Sequence, residues 1–243
     1  MTDREIDEAL ERIAQIPHEL DLALLGRIAG SIKSSLRPVR PLPPTRILAC
    51  GLALICVAVA LAGAARAGFY GIEKMGLLQR ALIFPMLGIL IWVAGTEFVN
   101  EMIPGSRRRL SPGALLGMAS VVLIGVFGLL FHDYRTDHFV SAGIVCLLTG
   151  LLHAIPAVLL SWLLLRRGFA VNSVSAGLVA GTLAGLAGVG VLELHCANFE
   201  ATHVLVWHTA VVPLSGAAGA LVAWALRSRA GTGAHGPPAL PMN

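Results

Sequence analysis

Charge is what this sequence has least of. Only 13% of its 243 residues are Asp, Glu, Lys or Arg, about half the share found in an ordinary soluble domain. The missing charge is replaced by apolar residues, 56% of the chain, gathered in blocks about as long as a bilayer is thick. That excludes an ordinary water-soluble globule. Other absences narrow the function. No phosphate-cradling loop, nucleophile elbow, HExxH or CxxC spacing and no paired catalytic carboxylates occur, so the expected protein is not an enzyme. No basic patch with interleaved aromatics occurs, so direct nucleic-acid binding is not expected. No cleavable signal peptide is visible, because the first forty residues are polar; the first apolar run should stay as a span.

What is present reads as an all-α fold: a polytopic membrane protein with six transmembrane helices and a cytosolic amphipathic N-terminal arm. The expected spans are 47–65, 81–98, 115–131, 139–165, 174–194 and 204–226, the first without a charge until Arg66 closes it. Residues 1–46 form the arm and its Pro-rich linker, 47–227 the membrane domain, and 228–243 a Gly/Pro-rich tail expected to be disordered. In the arm, Ile6, Ala9, Leu10, Ile13 and Ile16 recur at helical spacing up to Pro17. Leu25, Ile28, Ile32 and Leu36 then line one face of a second helix. Such a stripe suits a partner protein or the lipid surface, and the pattern leaves both open. Pro38–Pro44 is a stiff linker to the membrane.

Fourteen of the eighteen basic residues fall on one side of this layout, in the arm, in Arg107–Arg109, in Arg166–Arg167 and after the last span. Arg66, Lys74, Arg80 and Arg135 fall on the other. The bias predicts both termini in the cytoplasm of a bacterial inner membrane. The turn at 132–138 and the loop at 195–203 then share the outer side.

That loop belongs to the densest chemical stretch of the chain, Val191–His208, which holds Glu193, His195, Cys196, Glu200, His203 and His208 without a Lys or Arg. His195, Cys196, His203 and His208 are candidate ligands for a transition metal, Zn or Cu, with Cys146 available from across. Cys146 and Cys196 are alternatively a disulfide or oxidant-responsive pair, or two packing thiols; spacing does not choose among these. Cys50 and Cys56, inside the first apolar run, read as packing residues. Glu97 and Glu101 beside Arg107–Arg109 read as salt-bridge partners. His153, near the middle of the fourth span, supports a competing class: a small six-span transporter or membrane oxidoreductase with a His/Cys metal or haem site. Along the fifth span, Gly177, Gly181, Gly185 and Gly188 form a face that lets another helix approach closely.

Cys146, the run Leu165-Arg166-Arg167-Gly168, the small-residue stretch Ala176–Gly185, Leu194-His195-Cys196 and Trp207 together resemble the NrsF-type membrane anti-sigma factors. The similarity covers roughly residues 140–227, with the six-span layout and the Pro-rich entry fitting more loosely. Ala197-Asn198 stands where the family pattern has Pro and an acidic residue, and Trp207-His208 where it has Trp-Tyr. The resemblance implies a non-catalytic protein that holds an extracytoplasmic-function sigma factor at the membrane and releases it under metal or oxidant stress. Cys146 and Cys196 match the two cysteines the family uses in that response.

Overall fold

A computed structural model describes residues 22–35, 43–103, 105–134, 139–165, 170 and 172–232. Those residues fall into two units that divide at Leu42, and all of their regular structure is helical. The first unit is represented by α1, Leu22–Ser35. Leu25 and Ile28 on α1 are exposed, and the same helix contains Ile32. Leu36, the earlier stripe Ile6–Ile16 and Pro38–Leu42 lie outside the described residues.

The second unit contains six helices long and apolar enough to cross a membrane. They begin with α2 (Thr45–Ala67), followed by a short helix α3 (Tyr70–Lys74) in the first connection. Then come α4 (Leu77–Met102), α5 (Pro112–Leu130), α6 (Phe139–Leu165) and α7 (Ser173–His195). The last begins as α8 (Ala201–His203), passes through a π-helical turn at Val204–His208 and continues as α9 (Thr209–Thr232). The helices extend up to six residues beyond the apolar runs because local signals, not hydropathy, stop them. Ser111 caps α5, its hydroxyl accepting from Ala114 N–H at 3.2 Å with Pro112 in the first turn. Asn172 accepts from Val174 and Ser175 N–H to open α7. Gly68, at φ 103°, ends α2 in a conformation that other residues rarely adopt. Helix α9 runs to Thr232, past the boundary expected at 227, and the tail 233–243 lies outside the described residues.

Helix α7 is the centre. From Val179 through Leu194 every residue is buried, packed chiefly against α9 and then α6, α2 and α4. Its glycines are the reason. A Cβ on Gly177 would run into the Gly219 carbonyl, and one on Gly181 into the Ser215 carbonyl. A Cβ on Gly185 would stand 2.8 Å from Val212 Cα, and one on Gly188 would meet the Gly150 carbonyl on α6. With no side chains between them the backbones touch, and dispersion contacts accumulate along the whole seam. The other helices turn large apolar side chains outward, among them Leu54, Leu77, Val121, Leu129, Trp162 and Leu221.

At one end of the bundle the connections close over the C-terminus of α7. Gly71 of α3 lies so close to the 193–196 backbone that a Cβ there would sit 2.6 Å from the Glu193 carbonyl oxygen. Ala201 N–H donates to the Asp133 carbonyl at 2.6 Å, and Phe131 stacks on Phe199 with ring centres 5.5 Å apart. At the other end Arg108 Nη2 meets Glu101 Oε2 at 2.9 Å, and Arg109 N–H donates to Glu97 Oε2 at 3.4 Å. Both carboxylates are buried there.

Candidate functional site

Under the covered end, four side chains from three elements converge. Cys146 lies two turns into α6, Cys196 is the residue that ends α7, His203 immediately precedes the π-helical turn and His208 is its last residue. One ligand atom from each lies within 4.8 Å of all the others. Cys146 Sγ is 3.4 Å from Cys196 Sγ, and Cys196 Sγ is 3.6 Å from His203 Nε2. All four cysteines of the chain are free thiols, and Cys50 and Cys56 are not part of this cluster.

The backbone explains how two histidines five residues apart reach one point. In a regular α-helix, residues i and i+5 are about 140° apart around the axis. The i→i+5 hydrogen bonding of a π turn winds more residues into each turn than an α-helix does, so the two are brought much nearer to one face. The His203 and His208 rings accordingly meet edge to face, centroids 5.3 Å apart. Both are fully buried.

A fifth residue supports the four. Glu193 Oε1 accepts from His208 Nδ1 at 2.7 Å, with both side chains wholly shielded from solvent. Glu193 lies three residues before Cys196 on α7, so the helix period places both on one face. That spacing, and a carboxylate at the end of an apolar helix, were visible in the sequence but did not mark Glu193 as a site residue. The second oxygen of Glu193, His203 Nδ1 and His208 Nε2 have no hydrogen-bond partner. Three unpaired polar atoms in one buried cluster are unusual, since each left unsatisfied costs about 1–3 kcal/mol. The Cys146 thiol, followed by burial, pushes the Cys196 thiol above its ordinary pKa, while His203 and His208 pull it down.

The candidates named from sequence therefore divide. Cys146, Cys196, His203 and His208 come together. His195 does not: neighbouring helical residues point about 100° apart, and its Nδ1 instead lies 3.1 Å from the Gly68 carbonyl, with its ring beside Tyr70. His203 is on the first turn of the last helix rather than in a loop. Cys196, expected in an outer loop, is 94% covered because α3 and the 197–200 segment close over it. His132 is exposed, and His138 lies outside the described residues. His153 bonds the Thr149 carbonyl of its own helix at 2.8 Å and rests against Gly63 beside an apolar groove between α2 and α6. It is outside the four-residue cluster.

The fold and the site thus define an all-helical protein with six span-capable helices and a covered thiol–imidazole cluster at one end. The chain matches the family profile of NrsF, negative regulator of sigma F, over residues 33–227, and belongs to that family. No curated protein and no solved structure matches it.

Proposed function

We propose that this protein is a membrane-bound anti-sigma factor that retains an extracytoplasmic-function sigma factor at the inner membrane and releases it when Cys146 and Cys196 meet an oxidant or a thiophilic metal. The family membership over 33–227 carries the reading. The exposed apolar pair Leu25 and Ile28 on α1 supports a docking stripe on the arm, which the sequence spacing extends to Ile32 and Leu36. The outward apolar faces and the fourteen-to-four partition of basic residues support insertion with both termini cytoplasmic. The role is non-catalytic.

The 3.4 Å sulfur separation supports the switch. With a peroxide as oxidant, one thiolate attacks the O–O bond and becomes a sulfenic acid, releasing water. The second thiolate displaces hydroxide, leaving a disulfide and a second water. Two thiols lose two electrons, and the peroxide gains them. Closing the sulfurs pulls α6 toward the end of α7. Because the α7 glycines leave no compressible side chains at its seams, the shift would reach the opposite end of the bundle as a rigid displacement.

The test uses the full chain with its sigma factor in detergent. Ile28→Asp with Ile32→Asp should abolish co-purification while leaving membrane insertion intact. Cys146→Ser or Cys196→Ser should keep the complex and lose its release by peroxide or cadmium, with the double variant no worse than either single one. Retention by the arm variant would move the binding surface to the cytoplasmic loops, and normal release from the serine variants would refute the thiol switch.

A further inference from the structure

We infer that Cys146, Cys196, His203 and His208 form a preformed tetrahedral site for a thiophilic divalent cation of the zinc–cadmium class, with Glu193 as the carboxylate that positions His208. The inference rests on the proposed sensing role of the two cysteines and deepens it by adding the histidines, the carboxylate and the charge of the ion.

Geometry comes first. Tetrahedral zinc with two thiolates and two imidazoles has ligand–ligand edges of roughly 3.3–3.8 Å, from bond lengths of about 2.3 and 2.0 Å. The observed Sγ–Sγ and Sγ–Nε2 separations, 3.4 and 3.6 Å, already fall in that range, and all four atoms lie within 4.8 Å of one another. Shifts of well under an ångström per ligand would close the site. The orphaned polar atoms are the second observation. His208 gives Nδ1 to Glu193, and its wholly buried Nε2 makes no well-formed hydrogen bond and is left among the cluster's ligand atoms beside the Cys196 thiol. A carboxylate–histidine pair of this kind fixes the ring and its tautomer so that the far nitrogen addresses a metal. With an ion bound, that nitrogen becomes the fourth ligand.

Charge selects the ion. Binding displaces the two thiol protons to solvent, so a divalent ion and two thiolates make a neutral centre. A monovalent copper ion would leave a net negative centre beside the Glu193 carboxylate, and burial makes that costly. Magnesium and calcium are excluded by the sulfur and nitrogen donors. Occupancy also engages both sulfurs as thiolate ligands and holds them apart at a coordination edge. Metal and peroxide therefore compete for one pair, and the occupied site resists oxidation.

The test is cobalt substitution on the reduced full-length protein in detergent, read by visible spectroscopy. One Co2+ per chain should give intense tetrahedral d–d bands with thiolate charge-transfer absorption, and Zn2+ should bleach them. His203→Ala and His208→Ala should each weaken Co2+ binding by 100-fold or more. Glu193→Gln, which keeps the shape, should weaken it ~10- to 100-fold, and His195→Ala should leave it unchanged. Zn2+ should slow disulfide formation by peroxide. Weak octahedral bands, full affinity in Glu193→Gln or oxidation indifferent to Zn2+ would each overturn the inference. The wild-type spectrum decides the donor set even if a histidine variant fails to fold. Sigma-factor retention, scored on the reduced metal-free protein before cobalt is added, keeps the two readings apart. Retention by the metal-free chain that then fails to give tetrahedral cobalt overturns this inference alone, whereas tetrahedral cobalt in a chain that retains no sigma factor even when metal-free supports it and removes the anti-sigma role.

Discussion

Replacing Gly181 with Ala tests whether backbone contact between α7 and α9 holds the bundle together. The added Cβ would penetrate the Ser215 carbonyl oxygen and stand 2.8 Å from the Ser215 carbonyl carbon and 2.9 Å from Gly216 Cα. Carbon–carbon contacts relax to about 3.5–4.0 Å, so the helices must separate by roughly 1 Å. The obstacle is backbone, which has no rotamer to escape into. Overpacking of this kind costs about 1–3 kcal/mol, and the upper end applies here. Alanine's better helix propensity returns at most about 1 kcal/mol, leaving a net loss of roughly 1–2 kcal/mol. Gly117→Ala on α5 is the control, because nothing lies within 4 Å of the Cβ it would add; it should be neutral or slightly stabilising. Gly219→Ala should behave like Gly181→Ala, since its Cβ would strike the Gly177 carbonyl from the other side of the same seam. Once the helices are parted the second clash is partly relieved, so the double variant should cost less than the two single losses combined. Reversible unfolding in mixed detergent micelles, followed by far-ultraviolet circular dichroism, measures each loss. Gly181→Ala as stable as Gly117→Ala, or strictly additive losses in the double variant, would refute close backbone packing as the source of stability.

Two further expectations concern the proposed topology and the Arg108–Glu101 end of the bundle. Reporter fusions after residue 229 and within 105–110 should read cytoplasmic and those near 70 and 198 periplasmic; a periplasmic C-terminus would sink the six-span arrangement. Arg108→Ala leaves the buried Glu101 carboxylate without its cation, which should lower stability by about 1–3 kcal/mol because half of the arginine side chain already faces solvent. Glu101→Gln in that background should recover most of the loss in the same unfolding assay, and no recovery would mean the pair is not coupled.

The number of long helices and their approximate places were legible from one physical fact: uncharged apolar runs of bilayer length have few alternatives to helix, because every backbone polar group must be satisfied within its own segment. The family was legible too, through Cys146, the small-residue stretch and Leu194-His195-Cys196. The glycine spacing on the fifth run announced a close approach, but not its partner. That α9 supplies the main seam and α6 a second one depends on how six helices pack together, which no single helix encodes. The site divided in the same way. Residue types and their crowding marked Val191–His208 as chemically dense, yet only the assembled fold brings Cys146 to 3.4 Å from Cys196 across fifty residues. Simple helical periodicity would place His203 and His208 on different faces, and the π turn overrides it. That turn, the docking of α3 on the end of α7 and the turning of His195 toward Gly68 are tertiary outcomes. Each is settled by which backbone groups find partners once the helices meet. Glu193 shows the limit most clearly: a lone acid in the sequence becomes the partner of His208 only because two helix ends fifteen residues apart are folded onto each other.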